Sequence, residues 1–370
     1  MKKGIWWVIG IVVVVIIIIS ATRNSNTEIG PVKIGAVLPL SGDLASYAES
    51  SRNAAIMAIE ESGMKDKVNF IIEDDHNCAS ADGVTAVSKL LNIDKVDALY
   101  GPVCSSEVLS VLPITDPKKI LIITPAATSK TLTNAGKYMF RTIASDSVRA
   151  NSLAEYVYSK GFKKAAFIND NSQDTMVQEV SDASDTFAKA GGQVVTKDTF
   201  NAKDTDFRTQ LLKAKGAGVD VIFVASFYKQ FNLIFKQAKN LGLHVQFAAL
   251  DESVDTKEFF DVGGKDVNGV LVSATVVPTN EASKTFTERY KARFGNAPTM
   301  YTAEGYDAMT LLLRAIKAGG TSGDSIKENL LKIGNNYQGA SGVITFESNG
   351  DVQKPAMIKI AKDGKFVDVQ

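Results

Sequence analysis

The chain has 370 residues, of which 45% are hydrophobic and 22% are charged. This composition is typical of a globular protein of about two domains and excludes a disordered or fibrous chain. Lys and Arg total 41, as do Asp and Glu, so the formal net charge is zero. The lack of a basic excess disfavours a nucleic-acid partner, and with only two histidines, His76 and His244, a site built on several imidazoles is disfavoured too.

The N-terminus predicts an export signal. Lys2 and Lys3 precede an uncharged, Ile- and Val-rich run at residues 4–20, and a polar stretch follows up to residue 27. As a helix the run would span about 25 Å, which fits both a cleaved signal peptide at residues 1–27 and a retained hydrophobic anchor helix. The two lysines stay in the cytoplasm, so the rest of the chain is expected in the periplasm or at the cell surface.

Cys78 and Cys104 are the two cysteines of the chain. Outside the cytoplasm such a pair tends to oxidise, and a disulfide over 26 residues (104 − 78) would contribute about 3 to 4 kcal/mol. Two separate buried thiols are the alternative. A metal site at residues 74–78 is less well supported, because no further group of His or Cys ligands accompanies it.

From residue 30 onward, short β-branched runs alternate with longer segments of helical periodicity, which predicts an α/β fold with parallel sheets. Amphipathic helices are predicted at 45–62 and 82–91, each beginning near an aspartate that can cap it. Mostly helical structure is predicted from 281 to 333. The predicted strands lie at 33–38, 68–73, 98–101, 120–124, 165–169, 193–200, 219–225, 247–250, 269–274, 342–346 and 357–360.

An internal similarity predicts two lobes of the same design. Residues 96–101 resemble residues 219–224, and each segment is the third predicted strand of its half. We therefore expect two doubly wound parallel-sheet lobes that are joined by a three-strand hinge. The late helices and strands indicate that neither lobe is contiguous, and the predicted lobes are 32–142 with 276–339 and 143–275 with 340–370.

Polar loops follow several predicted strands. Residues 103–107 and 124–129 offer hydroxyl and backbone N–H groups near helix starts, which suit a carboxylate. Residues 251–253 offer acids that suit a cationic group. Because ligands of doubly wound folds bind at the carboxyl ends of the strands, the loops together predict a crevice for a zwitterion. Each loop taken alone is also consistent with simple helix capping.

The chain resembles the type I periplasmic solute-binding proteins of ABC transporters, specifically the family that binds the branched-chain amino acids Leu, Ile and Val. The resemblance rests on the order and spacing of short segments from residue 32 to the end of the chain. Those segments are residues 34–42, 73–75 before Cys78, 101–106, 123–128, 140–142, 219–220, 237–238 with 242–243, and 306–308.

The resemblance implies a set of ligand-binding residues. Ser105, Ala126 and Thr128 correspond to the residues with which the first lobe holds the α-carboxylate and ammonium groups of an amino acid. Tyr47 corresponds to an aromatic residue of the side-chain pocket. Asp251 corresponds to the carboxylate of the second lobe that binds the ammonium group.

Two positions depart from the family pattern, and the cysteines agree with it. Asp174 stands where the family has an aromatic residue, and Phe227 stands where it has another tyrosine. A second carboxylate in the crevice would favour a polar or cationic ligand side chain, although a solvated helix start also explains Asp174. Cys78 and Cys104 match the disulfide positions of the family.

The resemblance implies an exported binding protein that captures an amino acid or similar small polar ligand and delivers it to the permease subunits of an ABC importer. A membrane-tethered receptor ectodomain that senses the same ligand is the alternative. No cofactor, metal or nucleic acid is expected. No nucleotide-binding or nucleophile motif is present, and no histidine is placed to activate Ser105, so an enzyme is not expected.

Overall fold

The structure is a computed structural model that describes residues 30–41, 44–76, 78–276, 278–299 and 301–369. The predicted export signal and anchor at residues 1–27 lie outside these ranges. Within them, no helix has both the length and the apolar character that a membrane crossing requires.

Five strands, all parallel, form the first sheet of the described residues, in the order β2-β1-β3-β4-β5. Most of their side chains are buried because helices cover both faces, which is why these strands appear in the sequence as continuous apolar runs. The strands are Val32–Leu38 (β1), Val68–Asp74 (β2), Ala98–Tyr100 (β3), Leu121–Thr124 (β4) and Met139–Arg141 (β5).

A seven-stranded sheet, in the order β14-β13-β10-β9-β8-β6-β7, lies in the second half of the described chain. β13 pairs antiparallel with β10 and with β14. Its strands are Lys164–Asp170 (β6), Gln193–Phe200 (β7), Val221–Ala225 (β8), Gln246–Ala249 (β9), Leu271–Thr275 (β10), Ala356–Lys362 (β13) and Lys365–Asp368 (β14). Tyr337–Gly339 (β11) and Gly342–Ile344 (β12) form a separate hairpin.

The helices cover the sheets in two groups. The first lobe consists of β1–β5 with α1–α3 and α9–α11, and the second consists of β6–β10, β13 and β14 with α4–α8. The helices are Ala45–Glu61 (α1), Ser80–Lys89 (α2), Ser105–Thr115 (α3), Asp146–Ser159 (α4), Asp174–Lys189 (α5), Arg208–Ala217 (α6), Tyr228–Asn240 (α7), Lys257–Gly263 (α8), Glu281–Phe294 (α9), Thr302–Gly319 (α10) and Gly323–Ile333 (α11).

Each strand that was predicted from the sequence has a counterpart in the structure, with ends that differ by at most two residues. Three short strands, β5, β11 and β14, were not predicted, because three or four residues are too few to show a periodicity. The predicted aspartate caps are wrong for the described residues. Leu44 and Ala79 precede the two helices, and Asp82 lies within the first turn of α2, where its charge complements the helix dipole.

The internal similarity has a structural basis. β3 lies beside β1, and β8 lies beside β6 in the same way, so each is the third strand of an equivalent topology. A carboxylate oxygen of Asp97 accepts a hydrogen bond from the Lys33 backbone N–H at 2.8 Å. Asp220 accepts bonds from the backbone N–H groups of Lys163 and Lys164 at 2.9 and 3.0 Å. An aspartate at the equivalent position of each lobe therefore fixes the start of the first strand, β1 in one lobe and β6 in the other.

Within the described residues, the chain crosses between the lobes three times. The first crossing follows β5 and the second follows β10. The third lies later than the predicted boundary at residue 340, because Ile344, Phe346 and Val352 belong to the apolar core of the first lobe. The ring of Phe346 packs edge-on against Phe140 of β5, with 5.2 Å between the centroids. Residues 340–352 therefore lie on the first lobe, and the chain enters the second at β13.

Cys78 and Cys104 form the disulfide expected from the sequence, with their Cα atoms 5.9 Å apart. The bond joins the loop after β2 to the residue that precedes α3. Both sulfur atoms are used in it, which excludes the alternatives of two free thiols and of a thiolate metal site. The disulfide thus holds the N-terminal end of α3 against the neighbouring loop.

Two buried carboxyl groups lie beneath this disulfide. Glu107 of α3 is fully buried, as is Asp75, and neither carboxyl oxygen of Glu107 has a hydrogen-bond partner among the described residues. A Cβ atom on Gly83 would lie 2.7 Å from the Glu107 Oε1 atom, so a glycine leaves room for the carboxyl group. Burial, followed by the charge of Asp75, raises the pKa of Glu107 to about 8.

The raised pKa of Glu107 predicts a stability that falls with increasing pH. The folded protein keeps the proton of Glu107 up to a higher pH than the unfolded chain does. Between about pH 5 and 8, this difference should lower the free energy of unfolding by up to about 1.4 kcal/mol for each pH unit. Glu107→Gln should reduce that slope. Denaturant unfolding at pH 5.5 and 8.5 measures it, with the exposed Glu155→Gln as control. Equal slopes in wild type and Glu107→Gln would contradict the assignment.

Candidate functional site

Loops at the carboxyl ends of the strands line a cleft between the two lobes. Two adjoining cavities of about 260 and 300 Å³ lie there, and Tyr301 lines both. The first, the hinge cavity, is bordered by all three crossings and by residues such as Thr128, Ile143, Arg149, Glu252, Val276 and Pro355. The second, the first-lobe cavity, is bordered by residues such as Pro39, Ala48, Ser51, Val103, Ser105 and Ala126. The cleft thus has one mixed compartment and one largely apolar compartment.

Ser105 is the first residue of α3, so the unpaired N–H groups of a helix terminus adjoin the first-lobe cavity. Its side-chain oxygen accepts a hydrogen bond from the backbone N–H of Ser129 at 3.1 Å. This bond ties the loop after β4 to the start of α3. Ala126 of the same loop lines the same cavity. Neutral donors of this kind suit an anionic group.

A buried arginine holds the loop after β4 in place. The Nη1 atom of Arg141 donates to the backbone oxygens of Ala127 and Ser129, at 3.3 and 2.9 Å. Its Nε atom donates to Asp351 at 2.8 Å, and Nη2 donates to the Thr133 hydroxyl at 3.0 Å. Thr128 therefore lies between two carbonyl groups that one guanidinium fixes.

A second arginine lies on the opposite wall of the cleft, surrounded by carboxylates. Arg149 of α4 donates to Glu252 at 2.6 Å, to Asp146 at 3.1 Å and to Glu179 at 3.4 Å. Burial raises the pKa of Glu179 well above its ordinary value, and the charge of Asp251 raises it further. One guanidinium thus lies among several carboxyl groups, of which the buried Glu179 holds its proton more tightly than a free carboxyl group does, and this wall of the cleft is acidic.

Glu252 connects this cluster to the hinge. One carboxylate oxygen accepts from Arg149, and the other accepts from the backbone N–H of Thr275 at 2.9 Å and from its hydroxyl at 3.1 Å. Thr275 ends β10, where the second crossing begins. The loop after β9 is therefore held to both α4 and the hinge.

The lobes also meet through an ion pair. The ammonium group of Lys130, in the first lobe, contacts the carboxylate of Asp182 on α5, whose side chain is 1% exposed. The Ser147 hydroxyl and the Gln178 amide, the latter at 3.0 Å, also donate to Asp182. This contact closes one side of the cleft.

The structure brings several of the residues expected from the sequence to this cleft. Ser105 and Ala126 line the first-lobe cavity, and Thr128 lines the hinge cavity. Asp251 lies close enough to the arginine cluster to raise the pKa of Glu179. These four residues come from both lobes.

The other three expected residues lie elsewhere or are less fully described. Asp174 begins α5 and lines a neighbouring cavity. Phe227 precedes α7 with 44% of its surface exposed. Tyr47 lies on α1, but its side chain is outside the part of the structure that is described.

Sequence reasoning did not find Arg149, Glu179, Asp182 or Tyr301. A signal existed for the two acids of α5, since they lie among the apolar positions that pack in the core instead of on a polar face. Tyr301 offered none, because its left-handed backbone (φ 64°) before α10 is not visible in the residue type.

We expect Arg141→Lys to destabilise the protein, because an ammonium group cannot replace the guanidinium bonds to three separate segments. The expected loss is about 2 to 4 kcal/mol of unfolding free energy. Denaturant unfolding measures it, and Arg208→Lys, at an exposed ion pair, is the matched control. If both variants unfold at the same denaturant concentration as the wild type, Arg141 does not support the loop.

Comparisons with known proteins agree with this fold. Residues 31–365 match the Periplasmic binding protein family. The chain is 27% identical over 330 residues to the leucine-, isoleucine-, valine-, threonine- and alanine-binding protein of Pseudomonas aeruginosa, covering 87% of each chain.

Solved structures are similar as well. A leucine-binding protein from Thermotoga maritima has a TM-score of 0.70 and 30% identity over 92% of this chain and 98% of its own. A branched-chain amino acid transporter substrate-binding protein from Streptococcus pneumoniae, in complex with isoleucine, has a TM-score of 0.66 and 25% identity over 91% of this chain and 99% of its own. The chain belongs to the Periplasmic binding protein family.

Proposed function

We propose that the protein captures an amino acid or a similar small polar ligand between its lobes and delivers it to an ABC importer. One observation carries the proposal. The helix N-terminus at Ser105 and the loop at Thr128 offer neutral donors on one wall of the cleft. The carboxyl group of Glu252 lies on the other wall, and that of Asp251 lies near the arginine cluster. Donors opposite acids match the carboxylate and ammonium groups of an amino acid.

In this proposal each group of the ligand has a partner. Ser105, Ala126, Thr128 and nearby backbone N–H groups hold the carboxylate, and Asp251 pairs with the ammonium group. Tyr47 and Phe227 contact the side chain of the ligand from the two lobes, with Asp174 near its end. The amino acids in the names of the relatives support this ligand class, and the transporter in the name of the Streptococcus protein supports an importer as the partner.

Export fits the disulfide, which forms in oxidising compartments, and the description of the family as periplasmic. Residues 4–20 remain a candidate anchor that would keep the binding protein beside a permease. The three crossings form the hinge, and closure about it would bury the ligand between the lobes.

Thermal-shift measurements on the full-length protein in detergent test the proposal. A ligand that binds only the folded state should raise stability by about 2.7 kcal/mol at a hundredfold excess over its Kd. We expect at least one of the twenty amino acids to do so. If none of the amino acids and none of the related small polar compounds screened with them shifts the melting temperature, the proposed function is wrong.

Substitution of Asp251 and Thr128 tests the roles of the two walls. Asp251→Ala leaves a buried ammonium group without its counter-charge and should cost about 2 to 5 kcal/mol of binding free energy. Thr128→Val removes one bond to a charged group and should cost less, about 1.5 to 3 kcal/mol. Calorimetry with the amino acid found above measures both, and the exposed Asp261→Ala is the control. If Asp251→Ala binds the amino acid as tightly as the wild type, another carboxylate holds the ammonium group, and Asp174 is the next residue to test.

A further inference from the structure

A third cavity, which we call the acidic cavity, lies in the cleft between the lobes and has a volume of about 330 Å³. The first lobe contributes polar groups from the loop after β4, and α4 and α5 contribute carboxylates. The charged and hydroxyl groups that line it include Ser129, Lys130 and Thr131 of the first lobe and Asp146, Asp174, Glu179 and Asp182 of the second. It adjoins the arginine cluster, because Arg149 contacts both Asp146 and Glu179.

The charges around this cavity do not balance. Lys130 pairs with Asp182, which leaves Arg149 as the cation of the cluster formed by Asp146, Glu179 and Glu252. The shortest of the three ion pairs goes to Glu252, at 2.6 Å, and the longest goes to Glu179, at 3.4 Å. One guanidinium therefore faces three carboxyl groups, and its contact with Glu179 is the weakest of the three.

Glu179 provides an independent observation. Its side chain is 1% exposed, and its Oε2 atom is buried without a hydrogen-bond partner among the described residues. The guanidinium of Arg149 reaches only Oε1, so an ionised carboxylate in this position is costly unless a second group reaches Oε2. Glu179 lines the cavity, so a cation bound there is in a position to supply the missing partner.

We propose that the acidic cavity receives a positively charged side-chain group of the ligand, so that the ligand is a cationic amino acid with an ammonium or guanidinium group. The inference rests on the proposed function and narrows its ligand class. Glu179 and Asp174 contact the cationic group, while Ser129 and Thr131 approach it from the first lobe. Because both lobes form walls of the cavity, a cationic group bound there would contact both lobes. Closure of the cleft would therefore depend on the side chain of the ligand.

Matched pairs of ligands test the proposal on the full-length protein in detergent. Calorimetry compares lysine with norleucine and arginine with citrulline, since each pair has a similar shape and differs in charge. We expect at least one cationic ligand to bind tenfold or more tightly than its neutral counterpart. The pair that shows the preference also distinguishes an ammonium from a guanidinium ligand.

Two variants test whether the acidic cavity causes the preference for a cationic ligand. Glu179→Gln should reduce it at least fivefold, and the matched change Glu155→Gln, at an exposed position of α4, should leave it intact. Circular dichroism checks folding. If Glu179→Gln does not fold, Asp174→Asn is the second variant, because Asp174 is exposed at the helix start and lines the same cavity. An unchanged preference in both variants overturns the assignment of the cation to this cavity.

The remaining outcomes separate this inference from the proposed function. If leucine, norleucine or citrulline binds as tightly as the cationic ligands, the inference is wrong and the amino acid function stands. If no amino acid binds, the inference is wrong, and if no related small polar compound binds either, the proposed function is wrong too. If calcium or magnesium chloride raises the melting temperature and Glu179→Gln abolishes that effect, the cavity is a metal site and the inference is overturned.

Discussion

The guanidinium of Arg141 connects parts of the chain that are far apart in sequence. It is fully buried at the end of β5 and bonds to the loop after β4 and to Asp351, which lies just before the third crossing. Arg141 therefore fixes both the loop that forms the cleft wall and the segment that leads into the third crossing. A planar group with five donors suits this task, because it reaches several acceptors at fixed angles.

The two walls of the cleft differ in their electrostatics. The first lobe presents neutral backbone N–H and hydroxyl groups, which water can solvate while the cleft is open. The second lobe presents the guanidinium of Arg149 among partly buried carboxyl groups, and burial raises the pKa of one of them, Glu179. Closure would remove water from both walls and strengthen the interaction of these charges with a ligand. Charged groups are thus concentrated on one wall of the cleft, although the formal net charge of the whole chain is zero.

The sequence predicted much of the fold, because buried parallel strands appear as apolar runs and because the Val-Asp pairs before β3 and β8 mark equivalent positions. It did not predict the lobe assignment of residues 340–352, since the packing of Phe346 on Phe140 joins residues 206 positions apart (346 − 140). The cluster around Arg149 was equally hidden, as its partners lie on three separate elements. In contrast, the disulfide was predicted, because a pair of cysteines in an exported chain tends to oxidise and because the resemblance implied the same pair.

The late position of β13 has a consequence for the biogenesis of the protein. This strand and β14 complete the sheet of the second lobe, and β10 has its antiparallel partner only once residues 356–368 are available. During synthesis and translocation from the N-terminus, the first lobe obtains its last core residue, Val352, before the second lobe is complete. The edge of β10 thus lacks its partner until the last strands of the chain are available, and an unpaired strand edge of this kind can pair with another chain.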